Sequence, residues 1–430
     1  MSAEATTDHT LKFLPLRSFI YNDFWHKYVE IKIDIDRLDD SGRPILGNVA
    51  LKNAASTTLE VACSSFNSKY QDDSLQGFRC KGILLNHNTL ESFKMCDKNL
   101  LLRKQALQFY HDLMKQERIK CSADLVHFLL LSFADLKTYK FFHWFAFPVP
   151  TELTYKHNGE LTIPSDLNEK LRDSIAQFIY QKPMPNEPFF MYHTNNGIKL
   201  LSEYIQHHDI DANFRDENME KLYFCYFDPS DEVGWHLRQM LTYLVVSSPA
   251  LAEQGIKCVR VTGSTAAELQ LSLMTIDLPK HVPVNNLTLW AGWESDRNGK
   301  YLPRLSTLNN SMSPASLVEN AIDLNLKLMK WRLVPTLNLG TIKRTKCLLL
   351  GAGTLGCNVA RSLMAWGITN ITIVDCGKVS LSNPIRQTLY RFEDAENGGK
   401  LKATTAAERL QEINPAAVNN NEHKLFQWLK

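Results

Sequence analysis

The segment that most constrains the fold of this chain is residues 346–375, where strand, glycine and helix patterns follow one another without a gap. An apolar run, Lys346–Leu350 (KCLLL), predicts a short strand, and GAGTLG follows it directly. Cys357–Trp366 has the pattern of a helix, and Ile371–Val374 predicts a second strand that ends at Asp375. A Gly-x-Gly-x-x-Gly string is weakly diagnostic alone, but between a strand and a helix it predicts a phosphate-binding turn.

Each glycine of this turn has its own physical role. Gly351 permits the tight turn, Gly353 lets a phosphate approach the backbone, and Gly356 lets helix and strand pack closely. The phosphate then binds free N–H groups at the helix N-terminus, where the dipole favours negative charge. Asp375 follows a strand and is suited to accept hydrogen bonds from ribose hydroxyls. A glycine turn without any ligand is the alternative interpretation, and these residues alone do not separate NAD from ATP.

The residues that follow favour nucleotidyl transfer over hydride transfer. The polar residues in question are Asn383, Arg386, Gln387 and Lys402. Nucleotidyl transfer needs cations that stabilise charge on the α-phosphate and on the leaving pyrophosphate. A nicotinamide-dependent oxidoreductase would explain the glycines and Asp375, but it has no need for this cluster. Taken singly, each of these side chains also fits an ordinary turn or surface position.

Length and composition indicate a folded chain of more than one domain. Its 430 residues exceed an ordinary domain of roughly 100–200 residues. The 44% apolar and 22% charged residues are typical of globular proteins, and the net charge of +2 gives no argument for nucleic-acid binding. We expect no signal peptide and no membrane span. Nine cysteines without a C-x-x-C pair indicate reduced thiols in the cytosol.

The pattern along the chain predicts an α/β protein of two domains joined by a linker. Residues 1–292 are predicted to form one amino-terminal domain of mixed α and β structure. Residues 293–312 lose the apolar periodicity and are predicted to be a linker. Residues 313–430 are predicted to be the first part of a Rossmann-like, doubly wound domain. Its first helix is expected to begin with Ser313 as N-cap and Pro314 at the first helical position.

Within the amino-terminal domain, several segments carry a secondary-structure pattern. Residues 27–36 (KYVEIKIDID) alternate apolar and polar side chains, which predicts a half-buried strand. Further strands are predicted at Phe141–Phe147, Lys221–Phe227, Ile256–Val261 and Leu287–Ala291. Helices are predicted at Asn99–Lys115 and Gly234–Val246.

Several separated motifs give the chain a family resemblance. GAGTLGC, IVDCGKVSLSNPIRQTLY and Ile413-Asn414-Pro415 resemble, in order and spacing, the adenylation domain of ubiquitin-activating and bacterial sulfur-carrier-activating enzymes. A narrower similarity, to the E1-like enzymes that activate the ubiquitin-like modifiers of autophagy, is carried by NHNTLESFK, FFHWFAFP, GWHLRQML and DLNLKLMKWRLVPTLNL. The resemblance runs from about Phe13 to Pro415.

The resemblance implies where ATP would bind. ATP would lie over Gly351–Gly356 with Asp375 at the ribose. The residues that match phosphate-contacting positions of the family are Asn383, Arg386 and Lys402, with Gln387 in support and Arg386 in the catalytic role of charge stabilisation. Mg²⁺ would neutralise the departing pyrophosphate. The metal ligand is undetermined, because Gly377 stands where relatives often have a second aspartate.

The resemblance also implies a reaction and partners. The C-terminal carboxylate of a modifier attacks the α-phosphate of ATP, a cysteine then takes the acyl group as a thioester, and a conjugating enzyme recruited by the amino-terminal domain receives it. The family implies a homodimer in the cytoplasm that is recruited to the pre-autophagosomal structure. The thioester cysteine of the family lies beyond the Ile413-Asn414-Pro415 element, so we expect this chain to be truncated within the adenylation domain and to lack that cysteine. A noncatalytic module that binds conjugating enzymes is the alternative.

Two cysteines near the glycine turn need separate consideration. Cys357 stands at a helix N-terminus, where a thiol pKa can be lowered. Small buried cysteines are common, so ordinary packing is the favoured interpretation. Cys376 stands beside Asp375. Neither is predicted to be catalytic.

Overall fold

The computed structural model describes most of the chain and divides it into two compact units. The described residues are 9–14, 17–50, 58–67, 77–115, 119–179, 186–206, 210–215, 217–228, 233–263, 268–296, 298–308 and 314–414. The first unit comprises Met1–Lys32, Asp39–Ala134 and Phe141–Ser306, and the second comprises Ile33–Leu38, Asp135–Lys140 and Thr307–Lys430.

The secondary-structure elements of the described residues alternate between strands and helices along the chain. The strands are β1 (Arg17–Ile20), β2 (Arg43–Ala50), β3 (Thr58–Val61), β4 (Gly77–His87), β5 (His127–Asp135), β6 (Lys140–Pro150), β7 (Lys156–Leu161), β8 (Phe189–His193), β9 (Gly197–Leu200), β10 (Leu222–Phe227), β11 (Gly255–Thr262), β12 (Gln270–Asp277), β13 (Trp290–Trp293), β14 (Arg304–Thr307), β15 (Lys346–Leu350) and β16 (Asn370–Val374). The helices are α1 (Asn22–Ile31), α2 (Leu90–Met95), α3 (Lys98–Met114), α4 (Ser165–Ile179), α5 (Leu201–Gln206), α6 (Ile210–Arg215), α7 (Trp235–Ser247), α8 (Pro314–Arg332), α9 (Leu339–Arg344), α10 (Thr354–Ala365) and α11 (Lys402–Ile413).

The largest sheet has the strand order β1-β3-β2-β4-β5-β6-β13, with β14 also paired to β6. Side chains connect β1, at one end of this strand order, to residues at the other end of the sheet. Arg304 Nη2 donates to Glu294 Oε1 at 2.6 Å, and Arg304 Nη1 donates to the carbonyl oxygen of Ser18 at 3.1 Å. Ser18 also donates from its backbone N–H to Glu294 Oε1 at 3.1 Å. The sheet therefore curves until its two ends are joined by polar side chains.

The second sheet has the order β7-β12-β11-β10-β8-β9. Its centre is a parallel pair, β10 and β11, with α7 between them along the chain. All six residues of β10 are buried, and nearly every residue of α7 is buried as well. A strand and a helix that are buried on nearly all sides are expected where other elements cover both faces of the sheet.

Five predicted elements of the amino-terminal region are confirmed. Lys140–Pro150, Leu222–Phe227 and Gly255–Thr262 are strands, and Lys98–Met114 and Trp235–Ser247 are helices. The strand predicted at 287–291 is displaced, because β13 begins at Trp290 after a 3₁₀ turn.

The strand predicted at residues 27–36 is wrong. The segment is the end of α1 followed by a π-helical turn, Lys32–Asp36. Phe24, Trp25, Tyr28 and Val29 are all buried, and this i, i+4 spacing defines one helical face that begins before the alternating segment. Ile35, which the alternation placed in the core, is 66% exposed.

The linker predicted at residues 293–312 contains regular structure. Arg304–Thr307 forms β14, which pairs with β6. Part of the predicted linker is therefore a strand of the largest sheet, and that part of the prediction is wrong. The expected helix begins at Pro314 and ends at Arg332. Ser313, predicted as its N-cap, lies outside the described residues.

The predicted strand–turn–helix–strand unit is confirmed. β15 and β16 pair in parallel, with Lys346 opposite Asn370 and Leu350 opposite Val374, and α10 lies between them along the chain. This is the start of a Rossmann-like arrangement, so the predicted fold class is correct. Leu348 and Leu350 are 61% and 80% exposed, so one face of this strand pair is uncovered by the described residues.

Candidate nucleotide-binding site

The turn after β15 has a backbone conformation that requires glycine. Gly351 has a backbone φ of +107°, and residues other than glycine rarely adopt this conformation. Its N–H donates to the carbonyl oxygen of Val374 at 2.7 Å, which joins the turn to β16. A Cβ at Gly356 would collide with the carbonyl oxygen of Gly351. The first turn of α10 therefore packs directly against the glycine turn.

The N-terminus of α10 is open. Its N-cap is Gly353, with extended φ and ψ of −80° and −160°, and no side chain caps the helix. A Cβ at Gly353 would have no heavy atom within 4 Å. The first N–H groups of a helix lack partners within the helix. This end therefore combines N–H groups that have no partner within the helix, a favourable dipole and, among the described residues, space for an anion.

Asp375 holds the glycine turn from the end of β16. Its Oδ2 accepts a hydrogen bond from the N–H of Ala352 at 2.7 Å, and its Oδ1 accepts one from the N–H of Gly377 at 2.7 Å. Each carboxylate oxygen has a further lone pair. The side chain is thus fixed in orientation and still able to accept hydrogen bonds from a ligand hydroxyl.

Asn383 and Gln387 are buried in the segment that follows β16. Asn383 Oδ1 accepts from the N–H of Ser380 at 3.0 Å, so this oxygen stabilises a local turn, as its position before a proline allows. The N–H of Gln387 donates to the carbonyl oxygen of Asn383 at 2.8 Å. Gln387 Oε1 is buried and has no hydrogen-bond partner in the described part of the chain. A buried acceptor without a donor is costly, so this oxygen is a candidate contact for a ligand or a water molecule.

The two predicted cationic residues occupy different environments. Arg386 lies on an exposed turn, and its guanidinium has no ion pair with any described residue. Lys402 is half-buried at the first residue of α11, and its N–H donates to the carbonyl oxygen of Gly377 at 3.0 Å. The aliphatic stem of Lys402 lies 3.7 Å from the position that a Cβ at Gly377 would occupy. This is an ordinary van der Waals distance, whereas the same Cβ would lie only 3.0 Å from Asp375 Oδ1.

Asp394 is a structural centre of the site that sequence reasoning missed. Its side chain is 0% exposed and accepts from Lys400 Nζ at 2.8 Å, from Arg409 Nη2 at 3.1 Å and from the N–H of Arg391 at 2.9 Å. Burial acts to raise the pKa of Asp394, but the hydrogen bonds from Lys400, Arg391 and Arg409 outweigh it, so the pKa lies below its usual value. Arg391 and Lys400 are near in sequence, but Arg409 is fifteen positions away, so the sequence does not identify it as a partner of Asp394.

Cys357 has a structural role. It is fully buried, and its thiol donates to the carbonyl oxygen of Ala352 at 3.4 Å. Burial raises the pKa of the Cys357 thiol. The possibility that its position at a helix N-terminus lowers this pKa is therefore wrong. The favoured interpretation, ordinary packing, fits this environment. Cys376 is exposed.

In the described ranges, no group of three or more His, Cys, Asp or Glu side chains is placed to hold a metal ion. No helix in the described part of the chain is long and apolar enough to cross a membrane.

Comparison with known proteins identifies relatives for both parts of the chain. Residues 11–312 match the family described as the N-terminus of ubiquitin-like modifier-activating enzyme ATG7, and residues 324–425 match the ThiF family. The ATG7 enzymes of Sordaria macrospora and Homo sapiens are each 36% identical to this chain over 94% of its length. The chain spans only 62% and 59% of the length of these two relatives.

A solved structure is also similar. The N-terminal domain of Kluyveromyces marxianus Atg7, determined in complex with Atg10, is 23% identical and covers 70% of this chain and 98% of its own, with a TM-score of 0.49. The family match over residues 11–312 covers more than half of the chain. The chain therefore belongs to the ATG7 family of ubiquitin-like modifier-activating enzymes.

Proposed function

We propose that this chain carries the ATP-binding elements of an enzyme that activates ubiquitin-like autophagy modifiers by C-terminal adenylation. The observation that supports this most is the uncapped N-terminus of α10 behind the glycine turn, with Asp375 beside it. ATG7 family membership and the ThiF match over residues 324–425 favour adenylation over hydride transfer.

The residues present fit ATP. The space at Gly353 suits a phosphate group, and Asp375 retains lone pairs for a ribose hydroxyl. Gln387 Oε1 needs a donor, and a hydroxyl or water that arrives with the nucleotide would supply one. Arg386 and Lys402 supply the positive charge that α-phosphate and pyrophosphate require.

In the proposed reaction, a carboxylate oxygen of the modifier's C-terminal glycine attacks the α-phosphorus of ATP. A new bond forms between that oxygen and the α-phosphorus, the bond to the bridging oxygen of the β-phosphate breaks, and pyrophosphate leaves with the electron pair. The carboxylate is already ionised at neutral pH, so no general base is needed. The protein contributes positioning and stabilisation of negative charge.

We propose that Mg²⁺ enters the site bound to the nucleotide. Mg²⁺ in nucleotide sites is held by one or two carboxylates together with substrate phosphates and water, rather than by a dedicated cage of protein ligands.

Exchange of pyrophosphate into ATP, driven by an autophagy modifier, tests this function. The wild-type chain should exchange, and Arg386→Ala should abolish exchange, because a cation that contacts the reacting phosphates is lost. Arg391→Ala is the matched control, since Arg391 is an exposed arginine that pairs with Glu412. No exchange by the wild-type chain at saturating ATP would refute catalysis by this chain.

A second function is favoured by the family match over residues 11–312. We propose that the amino-terminal region recruits autophagy conjugating enzymes even where the chain forms no thioester. The full chain should retain such enzymes in a pull-down, and Arg386→Ala should retain them equally well. Failure to retain them would refute recruitment. A modifier adduct that a reducing agent releases would show that a cysteine of this chain forms a thioester.

A further inference from the structure

Ala352, the residue after Gly351, forms hydrogen bonds through both its backbone N–H and its carbonyl oxygen. The N–H of Ala352 donates to Asp375 Oδ2 at 2.7 Å, as described above. Its carbonyl oxygen accepts from the hydroxyl of Tyr390 at 2.8 Å. Tyr390 is thirty-eight positions away along the chain, so this bond joins the glycine turn to a distant segment.

The same hydroxyl reaches the first residue of α11. Tyr390 Oη lies 3.2 Å from the carbonyl oxygen of Lys402, and the N–H of Lys402 donates to Gly377. A phenol has one hydrogen, so it is shared between two acceptors, with the shorter distance favouring Ala352. The hydroxyl therefore links the glycine turn to the backbone of Lys402.

The environment of Tyr390 keeps the hydroxyl in this position. The residue is 5% exposed and packs in a cluster of small buried residues that includes Ala352, Cys357 and Ala403. Burial raises its pKa, with Cys357 adding to the effect, so the phenol stays protonated and continues to donate. Small neighbours leave the ring and its hydroxyl as the main polar bridge across this core.

We propose that Tyr390 is a positioning residue for ATP, whose hydroxyl fixes Lys402 relative to the glycine turn. This rests on the proposed ATP-binding function. The glycine turn presents N–H groups to a phosphate and Lys402 presents an ammonium, and the two act on one ligand only if their separation is fixed. Tyr390 itself does not contact the nucleotide.

A double-mutant cycle on ATP affinity tests this role. Tyr390→Phe, Lys402→Ala and the double variant of the full chain are titrated with ATP in competition with a fluorescent ATP analogue. Tyr390→Phe should weaken ATP binding about 3- to 10-fold, the range expected for one lost hydrogen bond. In the Lys402→Ala background, Tyr390→Phe should weaken ATP binding further by less than about 2-fold, because the effects of coupled residues are not additive.

The control is Tyr155→Phe. Tyr155 is a fully buried tyrosine of the amino-terminal region whose hydroxyl lies 3.2 Å from Thr242 Oγ1. It should leave ATP affinity unchanged. An effect of Tyr390→Phe that is equal in both backgrounds would make Tyr390 merely structural and overturn the proposal. A wild-type chain that does not bind ATP would instead refute the proposed function.

A second measurement needs no variant. ATP should slow hydrogen exchange at the amides of Ala352 and Lys402 together in the wild-type chain, because one hydroxyl links both backbones. Protection of Ala352 alone would overturn the link even if Tyr390→Phe fails to fold.

Discussion

The amino-terminal region and the segment 346–414 of this chain are stabilised by different means. The amino-terminal region encloses large aromatic side chains, such as Trp25, Phe141 and Tyr243, that are almost completely buried. The core of 346–414 consists mainly of alanine, cysteine and medium-sized aliphatic residues. The side chains of Asp394 and Tyr390 form hydrogen bonds that connect distant parts of this segment, to Arg409 and to Ala352 respectively.

The ends of two helices show the same contrast. α3 in the amino-terminal region is capped by Asp97, whose Oδ1 accepts from the N–H groups of Asn99 at 2.9 Å and Leu100 at 3.0 Å. α10 has Gly353 at the equivalent position and no side-chain cap. A capped end contributes to stability, whereas an uncapped end that faces open space is available to a ligand. The difference is the one expected between a helix end that only stabilises the fold and one that binds a ligand, as we propose for α10.

The largest expected effect on stability is in the aromatic core. Trp25→Ala should lower the free energy of unfolding by about 4 kcal/mol, because Trp25 is fully buried and stacks on Phe141 with ring centroids 4.7 Å apart. Denaturant unfolding followed by circular dichroism measures it. Trp366→Ala, at a tryptophan that is 39% exposed, is the control and should cost less than about 1 kcal/mol. Equal losses would remove the contrast between the two regions.

The next effect concerns the open helix end. Gly353→Asp should weaken ATP binding about 100-fold, because a carboxylate there takes the first-turn N–H groups and repels phosphate. Without ATP it should stabilise the chain by about 0.5 kcal/mol, since it caps α10. Titration with a fluorescent ATP analogue and thermal unfolding measure the two effects. Gly353→Ala separates the steric from the electrostatic part. Unchanged ATP affinity in Gly353→Asp would show that phosphate binds elsewhere.

Asp394 tests the polar core. Asp394→Ala should destabilise the chain by about 2 kcal/mol, less than for a fully buried ion pair because Lys400 is 56% exposed. Chemical denaturation is the measurement. Glu412→Ala is the control, because Glu412 is an exposed partner of Arg409 and should contribute less than about 1 kcal/mol. A larger loss at Glu412 would contradict the assignment of Asp394 as the centre.

The stabilisation by Asp394 should depend on pH. Its pKa is lowered in the folded chain, so its contribution is present above the unfolded value of about 3.9 and is lost as pH falls through the folded pKa. The difference in unfolding free energy between the wild type and Asp394→Asn should therefore be constant near neutrality and shrink below about pH 4. A difference that grows on acidification would reverse the sign and refute the ion pairing.

The smallest effect is at the capped helix. Asp97→Ala should destabilise the chain by about 1 kcal/mol, because two N–H groups at the start of α3 lose their acceptor. Asp97→Asn, which retains an oxygen acceptor, should recover most of this in the same thermal unfolding experiment. ATP affinity should not change in either variant. A shift in ATP affinity would show that the helix ends are not functionally separate.

The amino-acid sequence by itself determined the glycine turn, its flanking strands and helix, and the family of the chain. The turn and its flanking elements are local features, since each depends on residues within a few positions of one another, whereas the family is indicated by several separated motifs. The prediction at 27–36 and the part of the 293–312 prediction that covers β14 failed for a related reason. Helical packing that begins at Phe24 overrode the alternating pattern, and β14 depends on its pairing with a strand far away along the chain.

Only the tertiary structure revealed what surrounds the turn. Sequence placed Asp375 at the ribose, but not its hydrogen bonds to Ala352 and Gly377. It gave no indication that Tyr390 would reach Ala352, or that Asp394 would be the buried partner of Arg409. Apart from the bond between Gly377 and Asp375, which are two positions apart, these contacts join residues separated by fifteen to thirty-eight positions. Such hydrogen bonds form only when distant segments of the chain fold against each other. Local pattern specifies the elements, whereas burial and long-range hydrogen bonding decide which side chains meet.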